Sequence, residues 1–418
     1  MYPAATELAA AIRCGHTWTN VLNQQGAIKQ RLLEAADKLP LTMTLVEGRW
    51  LVLASAAPGI AAGDELLSID GHTAAQVVAS MLPYLRADGS GDGKRLRQLG
   101  NDRPHYSMMD VVWPLLAPPA DGLYRLALRR GDGVAHTVDA SAMTLAARAA
   151  SLRAQGTRAL SESWSLRIDG DRAVMTLPTF PLYRDKFDWR RFFADGFDEL
   201  QRKRVTRLII DIRDNEGGDA IGLNLLSYLV RAPMTYFSDR SVTTYERAPY
   251  PLARYLETWD FSFFDRTGMV DKIVDGPQAG RFSFRPNAAK VHTVTPQAAR
   301  FAGATWLLMR PENSSATFVL AQLAKLSGAA TLIGQPTGGN QRGLNGGQLA
   351  WVTLPNSGVA VDIPLLAWRY GANTPDASVM PDLMVRRSFA LQAAGRDEEM
   401  AAAVRYPQAH RTHRDAPP

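Results

Sequence analysis

The chain has 418 residues, 46% of them hydrophobic and 21% charged, which is the composition of an ordinary globular protein with two or three domains. Its net charge of +6 comes from Lys and Arg residues scattered along the sequence, so a nucleic-acid-binding surface with clustered positive charge is not expected. Cys14 is the only cysteine, which excludes an intrachain disulfide and a zinc site built from several cysteines, and no apolar stretch is long enough for a membrane-spanning helix.

Residues 1–40 are predicted to be helical, because apolar side chains recur at three- and four-residue intervals near both ends of this segment. Pro40 ends it. The two helical parts are separated by residues 14–20, CGHTWTN. The first residues lack the basic start and long apolar core of a signal peptide, and a start internal to a longer gene product would account for this.

Residues 41–140 are predicted to form a separate β-rich module, in which short strands alternate with turn residues. The predicted strands are 41–48, 50–57, 64–71, 123–130 and 134–141.

The middle of this module resembles a PDZ domain. A Gly-Asp pair at 63–64 precedes a strand, an Asp-Gly turn at 70–71 follows it, and a helix is predicted over 74–82, which is the order of the PDZ family. Domains of this kind bind extended peptides by adding a strand to a sheet edge. Residues 86–104 are a polar, glycine-rich insertion that we expect to be a loop. The alternative to peptide binding is a module that serves only for packing.

Residues 161–395 alternate between strands and helices, which predicts an α/β domain. A linker or connecting helix is expected over 141–160, and the tail, 396–418, is expected to be disordered. Residues 232–300 hold many aromatic and proline residues without a clear period, which favours a lid or a substrate-facing insertion. The predicted strands of the domain are 172–180, 208–213, 305–310, 330–334 and 349–356, and its predicted helices are 189–203, 221–231 and 317–326.

The segment 207–222, RLIIDIRDNEGGDAIG, predicts a buried strand, then a polar turn and the start of a helix. Its continuous apolar run is expected of a strand that is covered on both faces. Asp211 and Arg213 are expected to brace the strand end through an ion pair. Gly217 and Gly218 allow a close approach of the backbone and leave amide groups that can face a cleft, as in an oxyanion hole. The alternative is an ordinary strand-turn-helix connection.

Residues 305–326 predict another strand, a polar turn and an amphipathic helix that begins at Ser315. At this position the hydroxyl points outward, where the helix dipole and nearby amides favour negative charge. The alternative is a serine that only caps the helix. The glycine-rich segment that follows, 330–347, has no Lys at a P-loop position, so phosphate binding is not expected.

Three motifs in this order resemble the core of the tail-specific, or C-terminal-processing, serine peptidases, including the tricorn-core branch. LIIDIRDNEGG (208–218) is similar to the family's D-L-R-x-N-x-G-G element, the Ser-Ala pair at 315–316 to its nucleophile site, and LIGQPTGG (332–339) to its I-G-E-x-T-x-G element. The PDZ-like module and a Pro-Asp element at 381–382 also fit, so the resemblance covers residues 10–390. It implies a crotonase/ClpP-like α/β peptidase core, preceded by the PDZ-like module and a short N-terminal helical segment.

The resemblance implies that Ser315 is the nucleophile. It also implies that the amide of Ala316, with that of Gly217 or Gly218, forms the oxyanion hole. One branch of the family uses a Lys that follows the nucleophile, but this chain has Asn340 and no Lys in that region. A Ser-Lys dyad is therefore not expected.

The other branch uses a histidine from the N-terminal region, and His16 in CGHTWTN matches the Gly-His-Thr element of that branch. An imidazole is suited to take a proton from a serine hydroxyl near neutral pH. The alternative for His16 is a purely structural role. Lys325, in the helix after Ser315, is expected to be solvated. The remaining histidines, each expected at the surface, are His72, His105, His136, His292, His410 and His413.

A third group is expected to orient the imidazole of His16. The tricorn-core branch places a Glu just before its Pro-Asp element, and Asp376 is the nearest acid in this chain, although it does not align well with that Glu. Ser314, beside the nucleophile, is the other candidate.

Together these implications predict a serine-type endopeptidase that hydrolyses peptides or proteins through an acyl-enzyme, without a metal or another cofactor. By the same resemblance its location is expected to be extracytoplasmic; the oligomeric state is not indicated. The main alternative is a catalytically inactive binding protein of the same fold, for a peptide or an apolar ligand. A separation of His16 and Ser315 far beyond hydrogen-bond reach would favour that alternative. A crotonase-like enzyme acting on a thioester would share the core topology but leave the PDZ-like module unexplained.

Overall fold

The computed structural model shows an α/β protein built from an N-terminal segment, a β-rich module and a larger domain with a mostly parallel sheet. The α/β class expected from the sequence is confirmed. The structure describes residues 1–102, 106–154, 164–182, 186–236, 241–285, 292–343, 346, 348–368 and 370–406.

The N-terminal segment and the β-rich module pack around one core, which includes the buried side chains of Trp50 and Trp113. The strands of the module form an antiparallel sheet, in the order β1-β2-β3-β5-β6 with β4 beside β3. These elements are α1 (Tyr2–Ala11), α2 (Gly26–Leu33), β1 (Leu41–Val46), β2 (Arg49–Ser55), β3 (Glu65–Ile69), β4 (His72–Thr73), α3 (Ala74–Met81), α4 (Gly93–Arg97), α5 (Met108–Val111), α6 (Trp113–Leu116), β5 (Leu123–Arg129) and β6 (Ala135–Ser141).

The insertion at 86–104 is not the simple loop that its composition predicts. Helix α4 lies within it, and the side chain of Asn101 ties it to β1 by accepting from the N–H of Met43 at 2.6 Å. On its other side, Lys94 of α4 is buried and donates to the hydroxyl of Ser314 in the larger domain, at 2.8 Å. The insertion therefore packs between the module and the larger domain.

The larger domain follows the connecting helix α7 (Leu145–Ala154). Its main sheet has the order β21-β17-β16-β9-β8-β7, in which neighbours run parallel except for the β7–β8 hairpin. Its elements are β7 (Ser165–Asp169), β8 (Arg172–Thr176), α8 (Trp189–Arg202), β9 (Arg207–Asp211), α9 (Ile221–Ser227), β10 (Met234–Tyr236), β11 (Ser241–Thr243), α10 (Tyr250–Ala253), β12 (Leu256–Glu257), β13 (Val270–Lys272), β14 (Phe282–Phe284), β15 (His292–Val294), β16 (Ala304–Met309), α11 (Ser315–Ser327), β17 (Thr331–Gly334), β18 (Leu349–Thr353), β19 (Ala360–Pro364), β20 (Ala367–Trp368), β21 (Leu383–Met384), α12 (Phe389–Ala393) and α13 (Glu398–Arg405).

Helices cover both faces of this sheet, which explains the continuous apolar run of β9. Leu208 and Ile210 belong to a buried cluster that also contains side chains of α8, α9 and α11. Ile209, which points the other way, packs in a second cluster with Trp306 and with Ala403 of α13. The alternate residues of one strand thus fill two separate cores.

Strands β9 and β16 are parallel neighbours, so the turns that follow them meet at one edge of the sheet. The predicted ion pair at the end of β9 is confirmed, since the guanidinium of Arg213 contacts the carboxylate of Asp211 at 2.7 Å.

Residues 232–300 contribute short strands to smaller sheets, β13-β14-β11-β20, β12-β18-β19 and β10-β15. Tyr250, Trp259 and Phe261 of this insertion are exposed. Its role as a lid stays a prediction.

The expectation of a disordered tail from residue 396 is wrong for α13. This helix carries Glu399, which is buried and accepts hydrogen bonds from Arg213 at 2.9 Å and from Arg310 at 2.6 Å. Two positive charges from the main domain therefore hold α13 in place. Residues 407–418 of the predicted tail lie outside the described residues. No helix in the described ranges has the length and apolarity needed to cross a membrane.

Candidate active site

Ser315 begins helix α11 at the edge of the sheet where the turns after β9 and β16 meet. Its φ of +52° lies in the left-handed region, which for a residue with a side chain costs about 1–3 kcal/mol and is typical of functional sites. Neighbouring side chains hold this conformation: the amide of Asn313 donates to the carbonyl of Asn215 at 2.9 Å, and the hydroxyl of Thr317 donates to the same carbonyl at 3.0 Å.

His16 lies within reach of this serine. Its Nε2 is 3.3 Å from Ser315 Oγ, although the two residues are 299 positions apart in the sequence. The N-terminal segment that carries His16 is fixed to β19, because Trp18 and Asp362 exchange two backbone hydrogen bonds. The carboxylate of Asp362 also accepts from the side chain of Asn23, at 2.8 Å and 3.0 Å.

Gly217 lies against the nucleophile turn. A Cβ at this position would come within 2.8 Å of the carbonyl oxygen of Ser314 and 2.9 Å of the amide nitrogen of Ala316, so only glycine fits. Its own N–H donates to the side chain of Asn215 at 2.9 Å. Of the two alternatives, Gly217 and Gly218, the amide of Gly217 is thus already engaged, which leaves Gly218 as the candidate for the second oxyanion donor.

Two of the predicted donors keep an unused N–H group. The amides of Ala316 and Gly218 donate no hydrogen bond to any of the described residues. The amide of Ala316 belongs to the first turn of α11, where the helix itself offers no acceptor.

Asp88, in the insertion of the β-rich module, lies next to His16, which the sequence did not indicate. Its Oδ1 accepts from the backbone N–H of Gly15 at 2.6 Å. A ring nitrogen of His16, a carboxylate oxygen of Asp88 and the sulfur of Cys14 all lie within 4.8 Å of one another. Within the described part of the chain, His16 Nδ1 and Asp88 Oδ2 are both buried without a hydrogen-bond partner.

Ser314 does not act as the partner of His16. Its hydroxyl accepts from the ammonium of Lys94 at 2.8 Å and donates to the carbonyl of Glu216 at 3.2 Å. Lys94 Nζ also lies 3.8 Å from Asp88 Oδ2. The expected role of Ser314 is thus replaced by a buried contact that joins α4 to the nucleophile turn.

Asp376 does not contact His16 among the described residues either. Its exposed carboxylate accepts from the side chain of Asn340 at 2.5 Å and from the N–H of Ser90 at 3.2 Å. The structure therefore contradicts a direct orienting role and places Asp376 behind the chain segment that carries Asp88.

The electrostatic surroundings of His16 disfavour its protonated form. Burial lowers the pKa of its imidazole to about 4, and the positive charges of Lys94 and Arg86 act in the same direction, whereas the negative charge of Asp88 opposes them. The neutral imidazole, which can accept a proton, is therefore the dominant form at neutral pH.

The other basic candidates lie elsewhere. Lys325 Nζ donates to the carbonyl of Met380 at 2.6 Å, away from Ser315. His72 is exposed, and a ring nitrogen of His136 bonds the carbonyl of Gly59 at 2.9 Å. The predictions for His105, His410, His413 and the side chain of His292 lie outside the described residues.

Several solved structures are similar to this chain. CPAF in complex with lactacystin is similar in structure, with a TM-score of 0.60 and 17% identity over 94% of this chain and 85% of that chain. Mature CPAF aligns with a TM-score of 0.54 and 17% identity over 85% of this chain and 79% of that chain. For the photosystem II D1 C-terminal processing protease the TM-score is 0.40, with 15% identity over 96% of this chain and 86% of that chain. No curated protein has a detectably similar sequence.

The two CPAF structures show that the fold is shared. The sequence pattern of Peptidase family S41 matches residues 171–383, which is just over half of the chain and includes Ser315 and the turn after β9. The chain belongs to Peptidase family S41.

Proposed function

We propose that this protein is a serine-type endopeptidase with Ser315 as the nucleophile and His16 as the general base. The observation that carries the proposal is the 3.3 Å distance between Ser315 Oγ and His16 Nε2, at a serine held in a left-handed conformation. A nucleophilic serine needs a base at hydrogen-bond distance. A helix cap would need neither the base nor the costly backbone conformation.

The reaction begins with attack of Ser315 Oγ on the carbonyl carbon of the scissile peptide bond, while His16 Nε2 takes the hydroxyl proton. The amides of Ala316 and Gly218 are the proposed donors to the carbonyl oxygen as it becomes negative. Each such donor stabilises the transition state by about 2.7–4 kcal/mol. The C–N bond then breaks as His16 returns the proton to the leaving amine, and water hydrolyses the resulting acyl-enzyme.

The test is labelling with a fluorophosphonate probe alongside hydrolysis of fluorescently labelled casein. The wild type should be labelled and should cleave casein, whereas Ser315→Ala should do neither. His16→Ala should be folded but labelled at least about 100-fold more slowly, as expected on loss of a general base. Full labelling of Ser315→Ala would show that another residue is the nucleophile.

The same experiment distinguishes the proposed peptidase from the alternative, an inactive binding protein of this fold. A wild type that is folded, unlabelled and without activity towards casein would favour binding. The short distance between His16 and Ser315 supports catalysis. The extracytoplasmic location stays a prediction from the resemblance to tail-specific peptidases.

A further inference from the structure

We propose that Asp88, supplied by the insertion of the β-rich module, is the positioning residue that orients His16 for proton transfer. This inference rests on the proposed function and adds to it the third member of the catalytic group. It replaces both acceptors that the sequence suggested, Asp376 and Ser314.

The first observation is a pair of unsatisfied atoms. His16 Nδ1 and Asp88 Oδ2 are both buried, and neither has a hydrogen-bond partner in the described ranges. A buried polar atom without a partner carries a desolvation cost, so such atoms are rare in native structures. A ring nitrogen of His16 and a carboxylate oxygen of Asp88 lie within 4.8 Å of each other, and a hydrogen bond between the two side chains would satisfy both atoms at once.

The second observation is that the backbone holds the two side chains in this relation. Gly15, directly before His16, donates its N–H to Asp88 Oδ1 at 2.6 Å, and a Cβ at Gly15 would lie 2.6 Å from both carboxylate oxygens. Next to this contact, Gly89, the residue after Asp88, donates its N–H to the carbonyl of Arg13 at 2.9 Å. The carboxylate is therefore seated against the peptide that leads into the catalytic histidine.

The third observation concerns charge. A carboxylate beside the ring fixes the proton on Nδ1, leaves Nε2 free to accept from Ser315, and stabilises the imidazolium that forms during the reaction. Lys94 Nζ lies 3.8 Å from Asp88 Oδ2, so the negative charge of Asp88 is balanced inside the protein rather than by solvent.

The same three side chains, Cys14, His16 and Asp88, have the atom types of a metal site. The positive charges of Lys94 and Arg86, which both lower the pKa of His16, would repel a further cation at this place. The charge pattern thus favours an imidazole–carboxylate pair over metal binding.

The decisive variant is Asp88→Asn, because an amide oxygen can still accept from Gly15 while the negative charge is lost. We expect kcat for a casein-derived peptide to fall at least about 100-fold with KM within about twofold, since the residue acts on the base and not on substrate binding. The matched control is Asp92→Asn, an exposed carboxylate of the same segment that pairs with Arg13 at 2.9 Å; it should keep wild-type activity. Asp376→Asn should likewise cost less than about threefold in kcat.

A second readout does not depend on activity. In ¹⁵N-histidine-labelled Ser315→Ala protein, NMR should place the proton of His16 on Nδ1, with the resonance identified by its loss in the His16→Gln variant. Adding Asp88→Asn should shift the proton towards Nε2. A merely structural role for Asp88 would lower thermal stability without changing this tautomer.

The inference is overturned if Asp88→Asn keeps kcat, if Asp376→Asn causes the larger loss, or if His16 carries its proton on Nε2 when Asp88 is present. Failure of the proposed function looks different, because Ser315→Ala would then retain hydrolysis or the wild type would have none. In that case the NMR result still decides whether Asp88 and His16 form a pair.

Discussion

Ser315 combines two features that local structure alone does not require. Its backbone is left-handed, and its hydroxyl faces an imidazole from the other end of the chain. Asn313 and Thr317 hold the strained turn through the carbonyl of Asn215, so the cost of the conformation is met by buried hydrogen bonds. At the residue scale, the position of Ser315 is therefore set by hydrogen bonds of the protein itself.

The acid limb of kcat/KM should reflect the pKa of His16 in the free protein, about 4 instead of the usual 6.5. Burial is the main cause; Lys94 and Arg86 lower this pKa further and Asp88 raises it. Since the neutral imidazole is the active form, activity should persist well below pH 6.5. Lys94→Met removes a positive charge that lowers the pKa of His16. The acid limb of the kcat/KM profile of this variant should therefore move to higher pH.

The pH dependence of kcat/KM must be accompanied by a measurement of folding at acidic pH. The unfolded chain binds the His16 proton near pH 6.5 and the folded chain only near pH 4, so the contribution of this group to stability is lost as the pH falls through that window. Circular dichroism at each pH separates unfolding from titration. A wild-type limb at or above pH 6.5 in folded protein would contradict the prediction.

Gly217→Ala should be severe, because it combines an unfavourable φ of +107° with a Cβ that would lie 2.8 Å from the Ser314 carbonyl oxygen. We expect a loss of about 2–4 kcal/mol in the free energy of unfolding and strongly reduced fluorophosphonate labelling. Gly268→Ala is the matched control: its φ is +78°, but a Cβ there meets nothing within 4 Å. Equal effects of the two changes in urea unfolding would show that the close contact is unimportant.

At the scale of elements, helix α13 covers one face of the main sheet. This helix contributes Ala403 to the cluster around Ile209 and places Glu399 between Arg213 and Arg310. Arg213 also pairs with Asp211 at the end of β9. The helix therefore fastens the turn that leads to Gly217, although it lies at the other end of the domain's sequence.

Removing the buried carboxylate by Glu399→Ala leaves Arg310 without its nearest acid, and we expect the free energy of unfolding to fall by about 3–5 kcal/mol. The control is Asp195→Ala, which breaks an exposed pair with Arg191 on α8 and should cost less than about 1 kcal/mol. Chemical denaturation of both variants checks the difference. A Glu399→Ala protein as stable as wild type would mean that α13 is only loosely attached.

The strands and helices of the core were predictable because each has its own local pattern. The apolar run of β9 and the turn before α11 carry recognisable motifs, and their order led to Ser315. His16 was found only through the resemblance of its Gly-His-Thr element. The tail helix escapes sequence prediction because it has only eight residues, and its anchor, the contact of Glu399 with Arg213, spans 186 positions.

Asp88 could not be found in this way. The segment around it is rich in Gly, Ser and Asp, which is typical of a loop, and nothing local distinguishes Asp88 from the exposed Asp92. Its burial and its contact with Gly15 depend on how the module lies against the N-terminal segment. Asp376 is a candidate from the sequence only as the acid nearest to the Pro-Asp motif, and in the folded chain it contacts Asn340.

At the scale of the whole molecule, three distant parts of the chain form one site. The N-terminal segment supplies His16, the β-rich module supplies Asp88 and the larger domain supplies Ser315. The N-terminal segment contacts the larger domain through the backbone pairing of Trp18 with Asp362 of β19. Burial raises the pKa of the Asp362 carboxyl. The site is therefore sensitive to contacts that lie far from the nucleophile.

Asp362→Ala should slow fluorophosphonate labelling at least about tenfold, because Asn20 and Asn23 lose their shared acceptor and the segment that carries His16 becomes less ordered. Asp362→Asn keeps an acceptor oxygen and should retain most of the rate. Hydrogen exchange should show faster exchange of the amides of residues 14–20 in the Ala variant only. Unchanged labelling and exchange in Asp362→Ala would separate this anchor from the site.

The distance of 299 positions between His16 and Ser315 also has a consequence for synthesis. A ribosome makes His16 and Asp88 long before Ser315, and the three side chains come together only after the parts of the chain that carry them have folded. Until then the growing chain lacks the assembled site that the proposed function requires. The order of these parts in the sequence thus makes the proposed activity depend on synthesis beyond Ser315 and on folding of the larger domain.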